Sequence, residues 1–293
     1  MHHPPTPPGP VPSIRLNSGF SIPQLGFGVW LIDPSDTSNR VSEALEVGYR
    51  HFDTAPVYNN ERGVGDAIRH SDIPRDEIFV TTKLWNDQQG GDKPRESLLR
   101  SLDELSLEYV DLFLIHWPVP AQDLYLHAWE KLVELQEAGL VKSIGVSNHN
   151  VDHLDRIITT SGRQPALNQV ELHPAHQQRE LQAWAASHDT KVASWGPLGQ
   201  GQYPLLDTPP IVEAARHHGK SPAQIVIRWH VQQGFILTPK SSKKSRMKEN
   251  IDVFDFELTP AEMQSIHAMN LSDGRGRVGQ DPAKFNDAWV PAI

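Results

Sequence analysis

From residue 20 onward, short β-rich runs alternate with amphipathic stretches of helical period. The runs fall at residues 24–30, 49–54, 78–84, 110–116, 141–147, 166–172, 191–197 and 235–239, and most have small or polar side chains at their ends. Between them, Leu98, Leu102 and Leu105 recur at helical spacing in residues 93–106. Tyr125, Trp129, Leu132 and Leu135 do the same in residues 123–138. Asp123, Ser221 and Thr259 stand where helix N-caps are expected, and Gly48, Gly139 and Gly162 where helices should stop. Strand–helix alternation predicts a parallel sheet covered by helices. Eight such units are what a (β/α)8 TIM barrel requires, and a doubly wound sheet is the rival arrangement. Residues 14–22, with Asn17-Ser18-Gly19 in the middle, read as a hairpin placed to cap the bottom of a barrel.

Composition narrows the function classes. The chain has 293 residues, 38 % of them apolar and 22 % charged, which suits a folded protein and excludes a disordered or fibrous one. It has no cysteine, which removes thiol catalysis, thiolate metal sites and disulfides. The formal charge of −9 argues against nonspecific nucleic-acid binding. No apolar run approaches the ~18 residues of a membrane span. Six of the 24 prolines lie by Pro12, so residues 1–12 are expected to form a polar tail, and residues 13–293 a single barrel domain. With no apolar signal core near the N-terminus, cytoplasmic residence is expected.

The reactive residues cluster at predicted strand ends. Asp53 ends the second run, with Tyr58 in the loop behind it; Lys83 is near the end of the third, and His116 ends the fourth. In a parallel barrel these ends open on one face, where barrel active sites are built. One lysine or tyrosine there is most often structural, but the four have interlocking chemistry. A carbonyl accepting hydride becomes an alkoxide and needs a proton. A tyrosine with an ordinary pKa near 10 gives one reluctantly, and a neighbouring Lys⁺ favours its ionised form. Asp53 would hold the lysine charged, and His116 would fix the substrate oxygen. Hydrolysis fits poorly, because neither a Ser-His-Asp set nor a metal cluster accompanies them.

These segments resemble the aldo-keto reductases. The resemblance rests on Phe52-Asp53-Thr54-Ala55 with Tyr58, Thr82-Lys83-Leu84-Trp85, and Ile115-His116-Trp117-Pro118. It continues through Gly145-Val146-Ser147-Asn148, Asn168-Gln169-Val170-Glu171, Trp195-Gly196-Pro197-Leu198-Gly199 and Pro239-Lys240-Ser241, with Arg246, Glu249 and Asn250. It covers roughly residues 14–280. Within the family, Trp85-Asn86-Asp87, the run from Ser194 to Gly201 and Gly274-Arg275-Gly276-Arg277-Val278 look most like bacterial 2,5-diketo-D-gluconate reductases. The resemblance implies a (β/α)8 barrel that reduces aldehydes and ketones with NADPH, often as a monomer, on small dicarbonyls or keto sugar acids. It implies Asp53, Tyr58, Lys83 and His116 as the catalytic tetrad. Ser147, Asn148 and Gln169 would bind the nicotinamide carboxamide, and Trp195 would stack on the ring. Pro197, Leu198 and Gly199 would line the cofactor site. Lys240, Ser241 and Arg246 would hold the 2′-phosphate, with Glu249 and Asn250 near the adenine.

Other signals refine this reading. Five basic residues in positions 240–248 stand out in an acidic chain and follow the eighth strand, where barrel phosphate sites commonly lie. That favours NADPH over NADH. Gly274-Arg275-Gly276-Arg277-Val278-Gly279 matches the dinucleotide fingerprint G-x-G-x-x-G. It lies too close to the C-terminus for the βαβ unit that gives the fingerprint meaning, so it reads as a flexible loop beside the substrate pocket. His149/His153 and His173/His176 have metal-like spacing without a third ligand, and no metal is expected. Trp30, Trp85 and Trp117 fall at strand ends and are expected to wall the substrate pocket, with Trp289 approaching from the tail. Trp129, Trp184 and Trp229 lie in helices and should pack. Two alternatives stay open: Lys83 as a Schiff-base nucleophile on the same fold, and a nucleotide-sensing homologue without turnover.

Overall fold

The computed structural model describes residues 11–201, 203–272 and 274–286. Residues 1–10, which hold most of the expected tail with His2 and His3, and Trp289 lie outside that range. Val11 and Pro12 depart from the tail reading. Val11 packs half-buried against the core, and the Pro12 carbonyl accepts the Gln24 N–H at 2.8 Å. A hairpin follows, with β1 (Ser13–Arg15) antiparallel to β2 (Ser21–Pro23).

Eight parallel strands come next in unbroken neighbour order: β3 (Phe27–Gly28), β4 (His51–Asp53), β5 (Phe79–Leu84), β6 (Val110–Ile115), β7 (Val141–Ser147), β8 (Leu167–Glu171), β9 (Lys191–Trp195) and β10 (Ile236–Leu237). Leu25 bridges Leu237, and the Gly26 N–H donates to the Leu237 carbonyl at 2.8 Å, so the last strand returns to the first. The sheet is therefore a barrel and not a doubly wound layer. Every predicted run coincides with one of these strands. The first and eighth are only two residues long in the ladder, because their flanks serve the ring closure and the loops.

Leu16 and Ile22 of the hairpin pack with Phe79, Leu112, Leu114, Leu167 and Ile236, from inside the barrel and its lower rim. The hairpin thus closes the bottom and leaves the C-terminal strand ends as the open face. Helices cover the outside, including α1 (Pro34–Val47), α2 (Glu61–Arg69), α3 (Lys93–Leu105) and α4 (Tyr125–Glu137). The apolar stripes of α3 and α4 are buried as their spacing predicts, and Trp129, Trp184 and Trp229 are buried packing residues. Ser221 and Thr259 each complete a reciprocal capping box, and Gly48 and Gly162 are left-handed caps. Asp123 differs from expectation. It adopts φ 50°, and its carboxylate takes a two-pronged bond from Arg156, at 2.7 and 2.9 Å, so it cannot cap α4. His153 belongs to a cap as well: its ring accepts the Asn150 N–H at the start of α5 (Val151–Ser161).

Candidate functional site

Three consecutive strand ends bring the predicted tetrad together. Asp53 ends β4, Tyr58 closes a 3-10 turn, Pro56–Tyr58, just beyond it, Lys83 lies within β5, and His116 follows β6. Lys83 is 1 % exposed. Its ammonium donates to Asp53 Oδ1 at 2.5 Å and to the Thr54 carbonyl at 3.0 Å, and lies 5.3 Å from the centre of the Tyr58 ring. The second Asp53 oxygen accepts from Gln169 Nε2 at 3.0 Å and from Thr238 Oγ1 at 3.3 Å. A buried carboxylate is costly unless its lone pairs are used, and here they are. The Tyr58 and His116 rings meet edge to face with centroids 6.0 Å apart, and Trp85 packs edge to face on His116 at 5.0 Å.

The protonation states follow from burial first. Burial pushes the Tyr58 phenol above its ordinary pKa; the Lys83 charge pulls it down but does not overcome burial, and Asp53 adds to the rise. The expectation that lysine dominates is corrected to this extent: the phenol is held protonated. Burial alone would lower Lys83, but Asp53 and the hydrogen bonds to Asp53 and Tyr58 hold it above its ordinary value. Burial, with the Lys83 charge, drives His116 well below its ordinary value, so the imidazole is neutral.

A second group adjoins the first. Ser147 and Asn148 are buried at the end of β7, and Gln169 is buried in the middle of β8. Asn148 sits in the left-handed region at φ 60° and donates to the His116 carbonyl at 3.0 Å and to Ser147 Oγ at 3.1 Å. Trp195 Nε1 donates to Asn148 Oδ1 at 2.7 Å. Two buried primary amides and an indole beside the tetrad match the donors, acceptors and flat surface that a nicotinamide carboxamide and ring require. The 196–201 turn carries Pro197, Leu198 and Gly199 directly after this indole.

The third group follows β10. Lys240 and Arg246 are exposed and make no ion pair among the described residues. Ser241 is buried, accepts the Lys243 N–H at 3.1 Å and turns the chain into α9 (Lys244–Ile251), which comes after α6 (Arg179–Ser187), α7 (Pro209–His218) and α8 (Pro222–Gln232). Two unpaired cations at a helix start fit a phosphate. The other residues of the basic run are not equivalent, since Lys244 pairs with Glu46. Asn250 is buried in α9, whereas Glu249 accepts a hydrogen bond from Ser221.

Of the tryptophans, Trp117 packs on Phe285 at 4.6 Å, and Trp30 is 37 % exposed on the rim. Residue-by-residue reading missed Thr238, Phe285 and the contacts of Glu171. Thr238 and Glu171 carried the same signal as the tetrad, a polar side chain at a strand end. His173 hydrogen-bonds Glu171 at 3.2 Å.

Residues 24–271 match the Aldo/keto reductase family. The chain is 49 % identical over 272 residues to methylglyoxal reductase DkgA of Escherichia coli strain K12, covering 93 % of this chain and 97 % of that protein. It is 46 % identical to an aldo-keto reductase of Mycobacterium sp. strain KMS over 94 % of this chain and 98 % of the relative. Among solved structures, a variant of Gox0644 in complex with NADPH superposes with a TM-score of 0.90 at 44 % identity, covering 94 % of this chain and 99 % of the other.

Proposed function

Since this chain belongs to the aldo/keto reductase family and is an oxidoreductase using a nicotinamide cofactor, we propose that it reduces small dicarbonyls or keto sugar acids with NADPH. In this reading Asp53, Tyr58, Lys83 and His116 are the working tetrad, and the chain acts as a cytoplasmic monomer, with residues 13–293 as one domain. The observation that carries the reading is a Tyr58 phenol kept protonated beside a buried Lys83–Asp53 pair.

A bound nicotinamide supplies hydride to the carbonyl carbon. As the oxygen gains negative charge, Tyr58 gives it a proton, and the product is an alcohol. The ammonium of Lys83 stabilises the phenolate left behind, because an opposite charge favours the ionised form. Asp53, itself held by Gln169 and Thr238, keeps that ammonium charged and in place. Neutral His116 carries one ring N–H to hold the substrate oxygen. Asn148, Gln169 and Ser147 would hold the carboxamide, Trp195 the ring face, and Lys240, Ser241 and Arg246 the 2′-phosphate.

The Schiff-base alternative is disfavoured by the same geometry. A nucleophilic lysine needs a lowered pKa, and here the ion pair raises it. Methylglyoxal is a named substrate of the DkgA relatives, and 2,5-diketo-D-gluconate comes from the sequence resemblance, so both belong on a test panel of carbonyls. Wild type should oxidise NADPH with at least one of them, and Tyr58→Phe should lose nearly all turnover while still binding NADPH. Tyr58→Phe turnover above a tenth of wild type would remove Tyr58 as the acid. Tight NADPH binding without turnover by wild type would support a nucleotide-sensing role.

A further inference from the structure

The G-x-G-x-x-G segment is not flanked by the strand and helix of a dinucleotide fingerprint among the described residues, yet it is not loose. It lies in a strap, residues 274–286, that crosses the open face of the barrel. At one end the Leu271 N–H donates to the Ala175 carbonyl at 3.0 Å, and Gly276 lies so close to that carbonyl that a methyl group there would overlap it. At the other end Phe285 packs on Trp117, and Asn286 Oδ1 accepts the Ala121 N–H at 2.8 Å.

Between these ends the strap meets Glu171. This carboxylate is 1 % exposed at the end of β8. Its Oε1 accepts the Val278 N–H at 2.6 Å, and its Oε2 accepts the Gly279 N–H at 2.7 Å. Apart from His173 on Oε1, these backbone bonds from the strap are its side-chain hydrogen bonds among the described residues. A buried carboxylate without partners is strongly disfavoured, so the charge itself holds the strap down. Gly279 is required for the approach. A methyl there would run into the Trp195 ring and press on Glu171 Oε2 at 3.0 Å. Glu171 and Trp195 are paired neighbours on β8 and β9. Trp195 in turn bonds Asn148, and Asn148 bonds the His116 carbonyl. Contact is continuous from the strap to the tetrad.

We propose that Glu171 is a positioning residue for the reduction: it clamps the 274–286 strap over the site, and Gly276 and Gly279 serve this docking. The clamp fixes the Trp195 indole and completes one wall of the substrate pocket. The kinetic half of the proposal rests on the reductase reading above; the structural half does not.

The test compares full-length wild type with Glu171→Gln and Gly279→Ala. Glu171→Gln keeps the size of the side chain but removes the charge and turns a donor toward the strap. Gly279→Ala changes a residue outside the barrel strands and keeps the buried Glu171, and so guards against misfolding of the first variant. Limited trypsin digestion without ligands reads strap release as cleavage after Arg275 or Arg277. Both variants should be cut there roughly tenfold faster than wild type, with similar thermal unfolding of the barrel. KM for the dicarbonyl should rise roughly tenfold, with a smaller change in kcat, as expected when a binding wall is loosened. Unchanged cleavage in both variants overturns the clamp. Faster cleavage with unchanged KM and kcat overturns the positioning role. A wild type that reduces nothing on the panel defeats the reductase reading, and the cleavage comparison still decides the clamp.

Discussion

Burial and charge pull the Tyr58 phenol in opposite directions, and burial wins. A donor must be loaded before it can give a proton, so a protonated resting phenol suits an acid. In the proposed reaction the Lys83 charge would have its effect afterwards, on the phenolate left beside it. At the cofactor end the residue-scale argument is one of difference. NADPH and NADH differ by one phosphate, so selectivity arises only from groups that touch it. Arg246 has a guanidinium without an ion pair among the described residues, in a fork that matches a phosphate. Each charge-assisted hydrogen bond contributes about 1.5–3 kcal/mol, or roughly ten- to a hundred-fold in affinity. Arg246→Ala should weaken NADPH binding by about that factor and leave NADH binding nearly unchanged. Dissociation constants for both cofactors, measured by tryptophan quenching, check this. An equal loss for both would move the phosphate contact to another residue.

At the scale of elements, the tetrad depends on how tightly the outer helices settle on the strands. Those helices also pack on one another, and α2 meets α3 backbone to backbone. Gly65 of α2 lies against the Leu105 backbone at the end of α3, and a methyl group at 65 would overlap that peptide. The obstacle is backbone and cannot rotate aside, so α2 would have to lift. Glu61 at the start of the same helix holds Thr82, next to Lys83, through a 2.6 Å hydrogen bond. Gly65→Ala should therefore cost about 1–3 kcal/mol, the range for overpacking a filled site. Denaturant unfolding reads the loss directly. A midpoint equal to wild type would show that α2 can shift freely.

For the whole molecule, buried histidines set the response to acid. Burial lowers His51 to about 4, His149 to about 3 and His176 to about 4, and holds His116 well below its ordinary value. Each has a ring nitrogen without a hydrogen-bond partner, as a neutral imidazole tolerates. Their folded pKa values lie below the unfolded value of about 6.5, so the unfolded chain binds more protons as pH falls. Their contribution to stability is complete above that pH and is lost on descending toward pH 4. Glu61 acts oppositely. Burial raises it to about 7, so it stabilises the fold toward acid and loses this as pH rises. His230, also lowered to about 4 by burial, adds to the histidines above; together these histidines outweigh one carboxyl, and unfolding near pH 5 should take up protons. The slope of unfolding free energy against pH measures that uptake and should be positive. A flat or negative slope between pH 6 and 4.5 would contradict it.

Alternating apolar runs and helical stripes were enough to place the eight strands, the bottom hairpin, the α3 and α4 stripes and the capping boxes at Ser221 and Thr259. These are local features, decided by spacing and by side chains a few residues apart. The tetrad was legible for a related reason: strand ends of a parallel barrel share one face, so position along the chain translates into position in space. Asp123 was misread as a cap because its partner Arg156 lies 33 residues away. The balance on Tyr58 was also out of reach, since burial depends on everything packed around the ring. The G-x-G-x-x-G segment was dismissed correctly as a dinucleotide fingerprint but misread as loose. Its anchor, Glu171, lies more than 100 residues earlier in the chain. Only the folded barrel brings that buried carboxylate under two backbone N–H groups, and only there does the absence of two Cβ atoms matter.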